Sequence, residues 1–341
     1  MSRPMNKIFR GLACALTLFL ATWVHGQPLL DHMHHGMELS IVGDYDRAIA
    51  YFDSLLTEHP DNLMATFFRA AVWQSRMMDF ESELWSKEFH RDVEGTIRLA
   101  HLAVRRNPGD RDAHFFLGAA FSYKSFQLAR DKKYLSAFQT AVRCLKELDR
   151  VTQLDSAFCD TYLGIGSYQY WRSQITRKFS WLPFFADRRM EGIRKIRKAY
   201  ECGLFTRWAA LSNLAWIYIE EKNYAAAITC AAEGLSRFPG SRFFLWPMGD
   251  AQFKNGEYAE AAAYYQAILN SVRSEPVNNH YNETLLLYKL ACCHQSLGEV
   301  DKARDECMQA LALPGEGEAG KRIKNKKELV ARLLGTLNGA Q

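Results

Sequence analysis

Four ten-residue stretches decide how this chain folds: GDYDRAIAYF (43–52), KNYAAAITCA (222–231), GEYAEAAAYY (256–265) and GEVDKARDEC (298–307). Each opens with a residue at a tight turn and places an alanine five residues later, at Ala48, Ala227, Ala261 and Ala303. Seven residues before each turn stands a small residue: Gly36, Ala215, Gly249 or Ala291. Pro60 and Pro239 follow the alanine by twelve residues, and Pro314 by eleven. The unit recurs at about 34 residues, and self-similarity at such a period marks stacked supersecondary units.

On either side of each turn, apolar residues fall at three- and four-residue spacing, which predicts two amphipathic helices per unit. The small residues Gly36, Ala70, Gly118, Gly164, Ala215, Gly249 and Ala291 are read as the points where the first helix of a pair, helix A, meets the second, helix B. Leu117, Leu163, Leu214, Met248 and Leu290 precede them and are expected to fill the seam. Pro60, Pro108 and Pro239 are expected to end helix B, because proline cannot extend the backbone ladder. Seven such pairs are expected.

On these residues the chain resembles the tetratricopeptide repeat family. The resemblance implies an all-α, right-handed superhelical solenoid of about seven helix hairpins, covering 27–314. The stretch LGIGSYQYWRS, then WLPFF, ADRRMEGIRKIRKA and ALSNLAWIYIEEKNYAAAI, resembles a narrower group of bacterial exported members distantly similar to the tetratricopeptide repeat protein 39 relatives. Pairs two to four carry additions between their helices, at Met77–Asp92, Gln127–Tyr134 and Ser173–Ala186. In the last of these, Trp181, Leu182, Phe184 and Phe185 read as an apolar plug. Pro183 stops one helix there and Asp187 caps the next. After Pro314, GEGEAG reads as a flexible joint, and the following residues, within 315–341, as a helix capping the exposed apolar end of the stack.

The first 26 residues read as a secretory signal peptide. Arg3, Lys7 and Arg10 precede the apolar run 11–24, and cleavage is expected near Gly26-Gln27. The run is short of the ~20 residues that span a bilayer. Removing it lowers the formal charge from +5 to +2, with 40 basic side chains left against 38 acidic. So slight a charge argues against a nucleic-acid partner, which calls for a domain-wide positive field. Seven cysteines remain. Most sit in apolar helical patterns as small hydrophobes, while export permits one or two disulfides of undetermined pairing.

The cluster Asp31-His32-Met33-His34-His35 offers His32, His34 and His35 to a metal, but repeat alignment places His32 and His35 on the packing face of the first helix A. Catalytic signatures such as HExxH, GxSxG or a Walker loop are absent from the sequence, and neither enzymatic activity nor a cofactor is expected. Function is therefore expected to lie in recognition. Relative to the small seam residue, positions three before, one after and four or five after are expected to line the concave groove. These are Phe115 and Tyr123 in the third pair, and Thr161, Ile165 and Tyr168 in the fourth. Trp216 follows in the fifth, Trp246, Asp250 and Phe253 in the sixth, and Tyr288 in the seventh. Aromatic anchors with a few polar neighbours suit a polypeptide; a lipid or glycan held in the same groove is the alternative.

The basic run Arg188, Arg189, Arg194, Lys195, Arg197 and Lys198 reads as a solvated outer face, with a peripheral contact to anionic lipid or an acidic partner as the other reading. The protein is thus expected to be an exported adaptor of a bacterial envelope, periplasmic or envelope-associated, binding a protein partner.

Overall fold

The computed structural model describes residues 30–176, 186–315, 317 and 319–339. The leader and the apolar plug lie outside the described residues. Within them are fifteen helices and no strand. The helix pairs are α1 (30–41) with α2 (Tyr45–Glu58), α3 (Leu63–Phe80) with α4 (Ser86–Arg106), α5 (Arg111–Arg130) with α6 (Tyr134–Leu154), and α7 (Thr161–Ile175) with α8 (Arg189–Cys202). They continue as α9 (Arg207–Glu220) with α10 (Tyr224–Arg237), α11 (Arg242–Asn255) with α12 (Tyr258–Arg273), and α13 (Tyr281–Ser296) with α14 (Val300–Ala312). The last helix, α15 (Gly320–Gly339), packs on α13 and α14.

The turns explain the recurring decapeptides. Gly43, Glu81, Lys132, Lys222, Gly256 and Gly298 all have positive φ. The residue after each donates its backbone N–H back to the last turn of helix A, as in Asn223 to Tyr218 (2.8 Å) and Glu299 to His294 (2.8 Å). This geometry satisfies carbonyls that a helix end leaves unpaired and reverses the chain within a few residues. Asp44 and Asn223 then accept from backbone N–H groups of the helix that follows.

The small seam residues are small for a measurable reason. A Cβ on Gly36 would lie 2.3 Å from Phe52 of α2, one on Gly118 3.0 Å from Leu148 of α6, and one on Gly249 2.8 Å from Tyr265 of α12. Gly164 differs from expectation: its Cβ would meet Leu148 of α6, in the preceding pair, at 2.6 Å. Contact between α7 and α8 is made instead by Gly166 and Gly192, where a Cβ on either would come within 2.7 Å of the other's carbonyl oxygen. In α11, Pro247 lies inside the helix without breaking it. The carbonyl of Phe243, which Pro247 cannot serve, accepts from the Ser212 hydroxyl of α9 at 3.4 Å.

The additions in pairs two and three are absorbed as helix. From seam residue to turn the spacing grows from seven residues in the first pair to eleven in the second and fourteen in the third. At 1.5 Å per residue these hairpins project roughly 6 and 10 Å further than their neighbours.

The stack also closes on itself. Ile41 at the end of α1 packs with Leu211, Phe238 and Phe244. Asp79 near the end of α3 accepts from Arg242 of α11 at 2.6 Å, Asn279 donates to the Phe80 carbonyl at 3.1 Å, and Arg322 of α15 pairs with Glu81 at 2.6 Å. Residues 160 to 240 positions apart in sequence are thus neighbours.

Candidate partner-binding surface

Closure divides the expected groove into parts with different fates. In pairs two and three the aromatic inner positions pack onto one another. Phe115 lies 5.1 Å, between ring centroids, from both Phe116 and Phe158. The loop between α8 and α9 adds Phe205, 5.3 Å from Phe68 and 5.9 Å from Phe116. That loop is rigidly held. The Asp160 carboxylate, 2% exposed, accepts from the backbone N–H groups of Leu204, Phe205 and Thr206 at 2.8–3.0 Å. Cys159 beside it is disulfide-bonded to Cys202 at the end of α8. Phe115, Thr161 and Ile165 are therefore buried packing residues and not groove surface. Seam spacing could not reveal this for Phe115, because the Phe205 ring that stacks on it comes from a loop outside the repeat pattern.

Two further groove residues line small clefts. Tyr123 sits with Gln74, Met78, Ser122 and Phe126 around a space of about 200 Å³ between α3 and α5, and burial pushes its phenol up to about 12. Tyr168 borders a space of about 240 Å³ shared by α6, α7 and the start of α8, together with Leu145, Asp149, Arg172, Arg188 and Lys195.

The remaining groove residues lie on the helix A surfaces of pairs five to seven. Trp216 is 36% exposed, and Trp246, Phe253 and Tyr288 are half-buried at the edge of the core formed by α11–α15. Trp246 and Tyr288 occupy the same repeat position on neighbouring A helices. Asp250 is not a lone acid. It accepts from Lys289 at 2.7 Å and from the Tyr265 hydroxyl at 2.8 Å, and burial followed by Asp250 holds that phenol far above its ordinary range. The spacing rule missed Phe243, which is 40% exposed, and Asn213, whose buried Oδ1 has no hydrogen-bond partner. Both fall on concave rows, six and two residues before the small residue, that the rule left out.

The basic run is mostly spent on internal pairing. Arg189 is pinned between Asp187 and Glu221, each at 2.8 Å, and its guanidinium is held well above its ordinary pKa by Asp187 first and Glu221 as well. Asp187 also accepts from the Arg189 backbone N–H at 2.9 Å, but it stands one residue before the N-cap of α8, which is Arg188 and makes no side-chain capping bond, so the expected cap is displaced. Lys195 pairs with Glu191 at 2.9 Å, and Arg197 donates to the Tyr218 hydroxyl at 2.6 Å. Lys198 sits 4.3 Å from the Tyr162 ring, while Arg188 and Arg194 are exposed.

The histidines do not converge. His32 and His35 are exposed rather than packed, both against Tyr51, whereas Met33 fills the buried position. His34 points the other way, bonded to the Leu204 carbonyl at 3.0 Å. Among the described residues no three or more His, Cys, Asp or Glu side chains are grouped to hold a metal. Cys144, Cys293 and Cys307 are buried hydrophobes whose thiols burial pushes up to about 12, 12 and 11.

A curled solenoid of helix hairpins, with small residues at every seam and aromatic side chains left along its inner rows, defines a class of repeat proteins that present concave surfaces to polypeptides. Residues 36–74, 212–279 and 247–317 match the tetratricopeptide repeat family model. Over these residues the chain carries tetratricopeptide repeats. The matched stretches hold the regular pairs, and the lengthened second and third hairpins fall largely outside them.

The human mitochondrial import receptor subunit TOM34 is 34% identical over 77 residues, which make up 23% of this chain and 25% of that protein. The chain thus matches about a quarter of the length of this relative. Among solved structures, the Cut9-Hcn1 hetero-tetramer of APC/C superposes with a TM-score of 0.53 at 14% identity, over 88% of this chain and 49% of that chain. PilW, a type IV pilus biogenesis factor, gives a TM-score of 0.49 at 11% identity, over 74% of this chain and 97% of its own. These similarities concern the fold.

Proposed function

We propose that the protein is a non-catalytic adaptor or assembly factor of a bacterial cell envelope, and that it holds a polypeptide against the A helices of pairs five to seven. The observation that carries this reading is the aromatic row Trp216, Trp246 and Tyr288, which remains accessible where the equivalent rings of the earlier pairs are buried. Large aromatics with little conformational entropy to lose are the residues that concentrate binding energy in protein interfaces. Export is supported by the basic and apolar leader together with the Cys159–Cys202 disulfide, since such bonds persist in oxidising compartments.

The rival, a carrier of lipid or glycan, gains no support from the two clefts beside Tyr123 and Tyr168, whose volumes of about 200 and 240 Å³ fall below the ~300–1,000 Å³ of sites that enclose a small molecule. Replacing Trp216, Trp246 and Tyr288 by alanine is expected to weaken partner binding by at least ~30-fold, corresponding to the loss of about 2 kcal/mol that marks an interface hot spot. Titration of the purified partner by calorimetry measures this. Unchanged affinity in the triple variant would sink the proposal, as would a small molecule retained at one equivalent with no protein partner.

A further inference from the structure

Among the described residues, more than half of the large apolar side chains left exposed crowd onto one edge, where helix A turns into helix B in pairs two to four. Leu84 stands at the tip of the second hairpin. Leu135 and Phe138 lie on α6 just beyond the tip of the third, 73% and 58% exposed, and Ile175 closes α7 at 79%. The second and third tips touch: Gln127 donates to Glu83 at 3.0 Å and Arg130 to Glu83 at 3.1 Å.

The reason for the exposure is geometric. On α6 the row Leu135, Phe138, Val142 and Leu145 continues toward the tip at helical spacing, on the side that faces α7. The end of α7, marked by Arg172 and Thr176, reaches only the level of Leu145. Beyond that level the lengthened hairpin carries its apolar row past the neighbouring helix.

The charge along this row is mostly positive. From Lys132 to Lys146 there are four basic residues, Lys132, Lys133, Arg143 and Lys146, and no acidic one, while Asp131 just before them pairs with Lys133 at 3.5 Å. At the neighbouring tip the acids are neutralised, Glu83 by Arg130 at 3.1 Å and Glu81 by Arg322 at 2.6 Å. Exposed Leu, Phe and Ile flanked by Lys and Arg, with Tyr134 and Trp171 at the margin, form the composition of a helix that lies in a lipid interface. There the apolar face enters the acyl boundary and the cations remain among anionic headgroups. The side chains project from successive hairpin tips, an arrangement that suits contact with a surface.

We infer that this edge docks on an anionic lipid bilayer, with Leu135, Phe138 and Ile175 inserted and Lys132 and Lys133 at the headgroups. The inference stands apart from the polypeptide reading of pairs five to seven, because it uses none of the same residues.

Flotation with phosphatidylethanolamine–phosphatidylglycerol vesicles, against phosphatidylcholine vesicles, tests it. The full chain is used beside one beginning at Gln27, which retains every described helix and lacks the apolar run 11–24. Both are expected to float with the anionic vesicles only. Leu135→Ser with Phe138→Ser, and separately Lys132→Glu with Lys133→Glu, are expected to lower vesicle binding by about tenfold or more. Thermal melting should stay unchanged, because all four side chains are exposed. Failure of the Gln27 chain to float, or equal flotation of both variants, overturns the inference. If the serine variant loses a bound protein instead of vesicles, the row belongs to a protein partner. If it melts earlier while no vesicle binding occurs, the row is covered by the chain itself. Either result also overturns it.

Discussion

Arg242→Ala is expected to destabilise the protein by about 3–5 kcal/mol, the range seen when one partner of a buried ion pair is removed and the other is left in place. Arg242 is 8% exposed in its side chain and donates to Asp79 through two nitrogens, at 2.6 and 2.9 Å, to Glu275 at 2.8 Å and to Ser271 at 2.6 Å. Burial works against its charge, yet Asp79 and then Glu275 hold the guanidinium above its ordinary pKa. Without Arg242, two carboxylates remain in a space where Tyr45, itself buried and bonded to Asp79 at 3.0 Å, is the nearest donor. The double variant Arg242→Met/Asp79→Leu should cost much less than Arg242→Ala alone, since it removes the buried Asp79 charge and leaves only the partly exposed Glu275 without its partner. Urea melts of the two variants check this. A cost below about 1 kcal/mol for Arg242→Ala, the level of a surface ion pair, would mean that the two ends of the stack do not meet.

Cys202→Ser is expected to remove about 2–4 kcal/mol, and addition of a reductant to the native protein should do the same. The bond closes a loop across a sequence separation of 43 residues, and the chain-entropy model gives about 4 kcal/mol for a loop of that size, an upper figure for most proteins. The effect should be local. The bond ties the start of α7 to the end of α8, next to the Asp160 carboxylate that fixes the 203–206 loop, so exchange protection should fall first at Leu204, Phe205 and Thr206. Phe205 packs on Phe68, Phe115 and Phe116 of pairs two and three, and its release should make Phe115 and Phe116 accessible. Equal amide exchange in oxidised and reduced protein at these positions would refute the structural role given to this disulfide.

The hairpins were legible because each is made of local constraints. A turn residue in the left-handed region, a small residue seven positions earlier and an alanine five later are all short-range demands, and the structure meets them at Gly36, Gly249 and Gly256. The Gly166–Gly192 crossing departs from the periodic reading, since neither residue sits at the expected seam position. What escaped the sequence was long-range. Nothing in the sequence around Asp79 and Arg242 reveals that a chain separation of 163 residues returns one to the other. The same holds for Cys159 and Cys202 among seven candidates. It holds also for Phe115, Thr161 and Ile165, which a repeat taken alone leaves facing outward and closure turns into core. Tertiary closure therefore redraws the groove without altering a single repeat.

The claim at the centre of this account is that a polypeptide binds the inner rows of pairs five to seven. In-cell photo-crosslinking tests it most directly, with a photoreactive side chain placed in turn at Trp216, Trp246 and Tyr288 and, for contrast, at the exposed helix B positions Gln266 and Asp305. The account predicts that one and the same polypeptide is captured from the three inner positions and not from the two outer ones. Capture of that polypeptide only from Gln266 or Asp305, with none from the inner rows, would contradict it.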